Sequence, residues 1–377
     1  MALCRADIMV RILATADWQL GKAFSTIGDA AEPFREQLFR TAEHIITTTA
    51  VEQEADVVLI LGDTFDRPAA DWALIERVAT LFRDSEKPIH IIPGNHDPWQ
   101  SGGVLEALSR ELEDAEHVVF HSEQSPFRLD EFDMTLYPGV LKQRFDLGDR
   151  DSWIPDREDS DGLRVGMFHG SIESFGGDDS RQCSIDPDVA ENRDLDLALL
   201  GDWHGGEMID QPERSLWYAG ASEPQRISHN WQGRVLMIEA GIEGEPTVEP
   251  IMVGKLKFVD FEFVFDLDME EPSQLLAAEL EGIEGEAEST YIRVKLAGEV
   301  SPETIEGIEE PVDSFSTNWP FIHSDLTELQ TVFPEDEERG DDPLLRQLED
   351  ELAGMGLPIE TFSRAVVLLR RSYRRLS

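Results

Sequence analysis

Short apolar runs punctuate the first two thirds of the chain: Ile12 to Ala16, Val57 to Leu61, Ile89 to Pro93, Val165 to Phe168 and Leu197 to Leu200. Each is short enough to be a buried strand. Between them apolar residues recur at helical spacing, as in Phe34, Leu38, Ala42, Ile45 and Ile46 after Pro33. This alternation predicts an α/β layered domain over residues 9–253. The segments from Asp71 (Leu74, Val78, Leu81) and from Val104 to Leu112 each carry an apolar face. Such a face either covers the sheet or makes a homodimer contact, and sheet cover is the simpler reading. Loops 156–161 and 176–180 are rich in Asp and read as solvated connectors.

Beyond Gly254 the texture changes. Leu256 and Phe258 alternate with Lys255 and Lys257, then Phe261, Phe263 and Phe265 with Glu262 and Val264, and the phase slip at Val259-Asp260 predicts a bulge. A helix-like stretch Ser273 to Leu280, a strand Tyr291 to Leu296 and a capped helix start at Ser301-Pro302-Glu303 follow. Residues 254–333 therefore read as a small α+β domain. An acidic, apolar-poor linker spans 334–342, and two helices, about Leu344 to Gly354 and Glu360 to Leu376, fill 343–377.

Chemistry gathers where the predicted strands end. Asp17-Trp18-Gln19, Gly62-Asp63-Thr64-Phe65-Asp66, Gly94-Asn95-His96-Asp97, His169-Gly170 and Gly201-Asp202-Trp203-His204 each follow an apolar run. Side chains at the carboxyl ends of parallel strands converge on one crevice. An oxygen-rich set with a few imidazoles suits paired divalent ions that grip a phosphate and activate water. Asp63, with two carboxylate oxygens beside the tight Gly62 turn, is best placed to bridge two ions. Asn95 offers a neutral carbonyl oxygen. His96 could protonate a leaving oxygen with Asp66 holding and charging its imidazole. Arg67 reads as a phosphate clamp or as a surface ion-pair partner. Taken singly, His169 and His204 would be structural histidines; the strand placement of all five motifs makes them ligands. Trp18 and Trp203 either offer stacking faces to bases or are core residues.

With 32 Lys and Arg against 78 Asp and Glu, the net charge is -46 and the pI about 4.3. Acidity of this degree ordinarily argues against a nucleic-acid partner. Spread over nearly every predicted surface, however, it fits adaptation to concentrated salt, where repulsion is screened; a halophilic protein of this kind is expected to lose stability in dilute buffer. Cys4 and Cys183 have no metal-like spacing, which fits a reducing cytoplasm. No stretch has the length or apolarity of a signal peptide or membrane span, so no membrane association is expected.

The motifs together resemble the calcineurin-like metallophosphoesterases, and among them the nuclease subunit of SbcCD-type DNA-repair complexes. Ala14-Thr15-Ala16-Asp17-Trp18-Gln19-Leu20-Gly21 resembles the family's opening Asp-x-His-Leu-Gly motif, Leu61 to Asp66 its Gly-Asp-x-Phe-Asp, and Ile92 to Asp97 its third motif. Trp217-Tyr218-Ala219-Gly220-Ala221-Ser222-Glu223-Pro224 resembles the Tyr-x-Gly-Ser-x-x-Pro stretch of the nucleases, with one residue more between Gly and Ser. The resemblance implies a layered β-sandwich flanked by helices and a DNA double-strand-break nuclease. Asp17 and His204 would hold one ion, Asn95, His169 and Asp202 the other, with Asp63 bridging and Tyr218 among the substrate contacts. It also implies that residues 254–333 cap the site and face DNA, and that the terminal helices dock on an SbcC-like coiled-coil ATPase. Phe362, Ala365, Val366, Leu369 and Tyr373 form an apolar stripe beside Arg364, Arg370, Arg371, Arg374 and Arg375. A helix docked on its own domain is the alternative.

Two positions depart from the family pattern: Gln19 stands for His, and Asp202 for the His of Gly-His-x-His. Gln19 is a weak ligand or acts from outside the coordination shell, whereas Asp202 is a competent hard donor. Three carboxylates, Asp17, Asp63 and Asp202, favour Mn²⁺, with Mg²⁺ the other candidate. A phosphoesterase of nucleotides or other small phosphoesters, and a weakly catalytic scaffold for the ATPase, are the competing functions.

Overall fold

The computed structural model describes residues 9–332 apart from 147, 159, 173–182 and 206–210, then 343–357 and positions 361, 365, 366 and 369. The predicted connector at 176–180 and linker at 334–342 lie outside the described residues, as does most of the last helix. The chain divides into two compact units. The first comprises residues up to 256 except 26–30 and 226–230, and the second comprises those two segments and the chain from Lys257.

Two sheets build the first unit. One has the order β11-β10-β1-β2-β3-β4, from β1 (Met9–Thr15), β2 (Val57–Leu61), β3 (Ile89–Ile92), β4 (Val118–Phe120), β10 (Arg234–Gly241) and β11 (Thr247–Met252). The other runs β5-β6-β7-β8-β9, from β5 (Phe127–Leu129), β6 (Met134–Pro138), β7 (Leu163–His169), β8 (Leu197–Gly201) and β9 (Leu216–Tyr218). Strands β1 to β4 are mutually parallel, as are β6 to β9. Every residue of β2, β3, β7 and β8 is buried, so β2 and β8 read as unbroken apolar runs and β3 and β7 as runs interrupted only by the buried His90 and Arg164.

Side chains from both sheets meet in one core that includes Ile12, Ala14, Leu59, Leu61, Leu136, Val165, Leu197 and Ile238. The far side of the second sheet is closed by Phe168, Ile172, Val189 and Leu200. Each fully buried aliphatic side chain contributes about 1.5–3 kcal/mol relative to exposure. Helices Ala31–His44, Trp72–Arg83 and Val104–Glu111 bury Phe34 and Leu38, Val78 and Phe82, and Leu105 and Leu108. Asp71 caps the second of these, accepting the Leu74 N–H at 2.8 Å.

In the second unit β12 (Lys257–Phe265), β13 (Thr290–Val300) and β14 (Ile322–Thr331) form a wholly parallel sheet. Helices Pro272–Glu281 and Pro302–Ser316 connect them, giving strand and helix in strict alternation. Ser301 caps the second helix through the Thr304 N–H at 3.2 Å. The bulge expected at Val259-Asp260 is not there: β12 pairs with β13 in continuous register from Lys257 to Phe265. Val259, Phe261, Phe263 and Phe265 share the core face, and Phe258 packs on Tyr291, ring centroids 6.0 Å apart. A register shift lies instead between β13 and β14, near Lys295. Among the described residues no helix is long and apolar enough to cross a membrane.

A buried carboxylate ties the first unit together at its exit. Glu223 accepts the Leu256 N–H at 2.8 Å, the Lys255 N–H at 2.9 Å and the Thr41 hydroxyl at 2.5 Å. Burial pushes its carboxyl up to about 7 despite those donors. The unfolded carboxyl ionises near 4.5. Between these values the folded state holds the extra proton, so stability falls as pH rises through the window. Glu223→Gln cannot ionise and should lose less stability between pH 5 and 8 than the wild type, by on the order of 2 kcal/mol in urea unfolding. Equal losses would show that this carboxyl does not titrate there.

Candidate functional site

Four site residues stand in the left-handed backbone region: Asp17 (φ +53°), Gln19 (+46°), Asp63 (+53°) and Asp202 (+95°). Such conformations are costly for residues other than glycine and persist only where surroundings enforce them. Here backbone hydrogen bonds do so. The turn after β1 is stitched to the turn after β2 by Asp17 N–H to Gly62 O at 3.1 Å, Gln19 N–H to Asp63 O at 2.9 Å and Leu20 N–H to Thr64 O at 2.9 Å. Two glycines allow the close approach. A Cβ on Gly62 would lie 2.4 Å from His169 Nδ1, and one on Gly94 would lie 2.1 Å from Asp63 Oδ1.

Carboxylates and imidazoles from both sheets converge at these turns. Ligand atoms of Asp17, Asp63 and His169 all lie within 4.8 Å of one another, and all three residues are buried. His169 Nε2 is 3.5 Å from Asp63 Oδ1 and 3.9 Å from Asp202 Oδ1, and His204 Nε2 is 3.9 Å from Asp17 Oδ1. Asp202 donates its N–H to Asp17 Oδ2 at 3.0 Å, and its own carboxylate accepts from Asn95 Nδ2 at 3.2 Å and from the Ser171 hydroxyl at 2.6 Å. These six ligand candidates thus belong to one connected cluster, and the seventh, Gln19, joins it through Asp63 Oδ2 at 3.2 Å.

The cluster fits a cation. His169 donates its Nδ1 proton to Leu61 O at 2.7 Å, which turns Nε2 inward. That Nε2 and the Asn95 Oδ1 are buried with no hydrogen-bond partner among the described residues. Burial raises the Asp17 carboxyl well above the usual range, with the Asp63 and Asp202 carboxylates adding to the rise against His169. Burial lowers the His169 imidazole, but the three carboxylates outweigh it and carry the ring up to about 9. A hard divalent ion at this cluster would displace the proton from His169 Nε2, take up Asn95 Oδ1 and neutralise the surrounding carboxylates, which is the chemistry this donor set suits.

His96 flanks the cluster, its Nε2 4.0 Å from Asp63 Oδ2 and its backbone N–H on Asp63 Oδ1 at 2.8 Å. Asp66 does hold its ring, but through the backbone carbonyl, 2.8 Å from Nδ1. This corrects the expectation that the Asp66 carboxylate charges the imidazole: that carboxylate faces Lys22 at 3.1 Å and Arg67 at 3.4 Å. Arg67 itself is largely exposed.

Two of the expected substrate contacts, Trp18 and Tyr218, are core residues. Trp18 is 1% exposed, lies against Phe82 with centroids 6.0 Å apart and donates to Thr15 Oγ1 at 2.7 Å. Tyr218 is also buried, its hydroxyl donating to Gly170 O and accepting the Ile172 N–H, both at 3.0 Å. It holds the loop after β7 and presents no face to a substrate. Trp203 is half-buried against the cluster that covers the second sheet.

Sequence reasoning passed over four supporting residues. Asp97 accepts the N–H groups of Gly94 (2.8 Å), Phe65 (3.0 Å) and Asp63 (3.1 Å). Gln225 donates to Asp17 O at 2.7 Å, Ser171 donates to Asp202, and Lys22 donates to Gln19 Oε1 at 2.8 Å. An Asp three residues after Gly94 was a readable turn signal; Gln225 had none, being far away in sequence.

Comparison with known proteins now bears on this geometry. The sequence pattern of the calcineurin-like phosphoesterases matches residues 10–206. The chain belongs to this family. Calcineurin-like phosphoesterases are metal-dependent hydrolases of phosphoester bonds, and the metal-ligand cluster lies within the matched segment. The chain is similar to the DNA double-strand break repair protein Mre11 of Methanosarcina acetivorans, 29% identical over 233 residues, 59% of this chain and 36% of that protein. It is also similar to the SbcD component of the nuclease SbcCD of Bacillus subtilis, 33% identical over 95 residues, 23% of this chain and 22% of that protein. It therefore spans little more than a third of the first relative and less of the second. Among solved structures, the calcineurin-like phosphoesterase YfkN from Bacillus subtilis has a TM-score of 0.39 at 11% identity, covering 65% of this chain and 91% of that one. GAP50, the anchor in the inner membrane complex of Plasmodium, has a TM-score of 0.39 at 9% identity, covering 65% and 85%.

Asp97 generates a test of this family site. Burial and the neighbouring Asp63 carboxylate push its carboxyl up to about 7 against the amides that favour its charged form. Asp97→Asn keeps one acceptor oxygen and turns an NH₂ toward a backbone N–H. Divalent-metal affinity, measured by calorimetry, should fall about 10–100-fold, and stability by about 1–3 kcal/mol. Wild-type metal affinity in this variant would show that the amide clamp is not needed to form the site.

Proposed function

We propose that this chain is a two-metal phosphodiesterase acting on DNA, with Mn²⁺ as its working ion and Mg²⁺ as the alternative. One observation carries the reading: side chains from five strand ends meet around the inward-facing Nε2 of His169 and Oδ1 of Asn95. In this proposal Asp17 and His204 hold one ion, Asn95, His169 and Asp202 the other, and Asp63 both. Paired divalent ions at such a site supply Lewis-acid polarisation of a phosphoryl oxygen and an activated water. His96, when its ring is protonated, delivers a proton from Nε2 to the leaving oxygen while the Asp66 carbonyl retains the Nδ1 proton. The DNA substrate is supported by the similarity to the Mre11 protein and to the SbcD component of SbcCD.

Acidity over the whole chain enters the proposal as adaptation to concentrated salt, in a cytoplasmic setting. It also favours a second reading, hydrolysis of small phosphoesters. On the second unit's sheet Arg293 pairs with Asp260 at 2.5 Å, and Lys295 with Glu328 at 2.9 Å and Glu262 at 3.0 Å, so these cations offer phosphates no surplus charge. Turnover of single-stranded DNA and hairpins, against a chromogenic phosphodiester in high salt, distinguishes the two. Activity on the small ester alone would overturn the DNA assignment.

His96→Ala should retain two ions per chain and lose about 10² to 10⁴-fold in hydrolysis, whereas Asp63→Asn should lose both ions together. Metal loss in the His96 variant would make that residue a ligand and sink its assigned role.

An SbcC-like coiled-coil ATPase is the proposed partner of the terminal helices. Val366 is buried in the chain alone, which suits a helix packed on its own unit, so the partner assignment rests on the arginine cluster and the resemblance. Deleting residues 358–377 should spare hydrolysis of a small phosphodiester and abolish co-purification with such an ATPase. Undiminished co-purification would remove the docking role.

A further inference from the structure

We propose that Gln19 is a positioning residue for the carboxylate of Asp63, not a metal ligand, and that Lys22 fixes it in this role; the inference rests on the two-metal reading above. The orientation of the amide follows from hydrogen-bond polarity. An ammonium group only donates, so the Gln19 atom 2.8 Å from Lys22 Nζ is the oxygen. The amide nitrogen is then the atom 3.2 Å from Asp63 Oδ2, and it donates to that carboxylate. Oxygen is the amide atom that a hard cation would take. Here it is already engaged by a cation.

Neither partner is free to drift. Gln19 is 2% exposed, and its backbone N–H is bonded to Asp63 O at 2.9 Å while its carbonyl accepts the Lys22 N–H at 3.1 Å. The Lys22 side chain is only 24% exposed and also pairs with Asp66 Oδ1 at 3.1 Å. Lys22 therefore joins two arms of the site. One runs through Gln19 to the carboxylate assigned to both ions, and the other through Asp66, whose carbonyl holds the His96 ring. The ion assigned to Asp17 and His204 is left with one protein donor fewer than a ligating side chain at position 19 would give.

The two roles predict different losses. Support for a shared carboxylate affects both ions together, whereas loss of a ligand releases one. Titration of the metal-free full chain with Mn²⁺, followed by electron paramagnetic resonance, reads this without an activity assay. Gln19→Leu and Lys22→Met should each weaken both ions about 10–100-fold while two still bind at saturation. The double variant should be no weaker than either single one, because Lys22 acts through Gln19. Lys22→Arg, which keeps a donor to the amide oxygen, should restore most of the affinity.

Loss of a single ion in Gln19→Leu, additive effects in the double variant, or wild-type affinity in both singles would overturn the proposal. Should the buried Gln19→Leu fail to fold, Lys22→Met and Lys22→Arg decide it alone. A wild-type chain that binds fewer than two ions would instead overturn the two-metal reading, which is a separate failure.

Discussion

Gathering three carboxylates, those of Asp17 and Asp63 buried and that of Asp202 partly exposed, around the buried His169 imidazole is the constraint on which the site depends. Like charges that close repel strongly once water is removed, and each carboxylate also loses its own hydration. The protein meets that cost with donors fixed in the backbone. Asp97 collects three N–H groups, Asp17 takes the Asp202 N–H, and Asp63 takes the His96 N–H. These bonds accompany the left-handed turns at positions 17, 63 and 202, and the apolar core between the sheets supplies the stability that lets such turns persist.

How much was legible in the sequence depended on which force decides each feature. Strands β2, β3, β7 and β8 were visible because burial on both faces demands largely apolar runs, broken only by His90 in β3 and Arg164 in β7. The ligand candidates were visible because they follow those runs directly. Which way a side chain leaves a strand end was not visible. Trp18 read either as a crevice wall or as a core residue, and the positive φ of Asp17 on one side and of Gln19 on the other accompanies a turn that sends it into the core beside Phe82. Asp66 was paired with His96 correctly by position, but sequence does not distinguish a carbonyl from a carboxylate of the same residue. The phase slip near Val259 suggested a bulge because Phe258 was assigned to the core face, whereas Tyr291 covers it on the other.

Charge is distributed unevenly between surface and site. Away from the cluster, arginines answer many of the acidic groups in exposed pairs, such as Arg77 with Glu36 and Arg157 with Asp196, which contribute little individually and less in salt. At the site the carboxylates face imidazoles, His169, His204 and His96, and no arginine pairs with them among the described residues. The two electrostatic regimes are separate: added salt reaches the first and scarcely the second.

Strand β1 pairs on one side with β2 and on the other with β10, where Met9 lies opposite Gly241 and Ala14 opposite Leu236. Gln225 closes on the Asp17 carbonyl from the same distant part of the chain. At typical translation speeds, roughly 10 to 50 seconds separate synthesis of β1 from that of its second neighbour. Throughout that interval one edge of β1 is an unpaired strand template. The first turn of the site is therefore made well before the strand that locks it, and a chain released before β10 is complete keeps a sticky edge beside its centre.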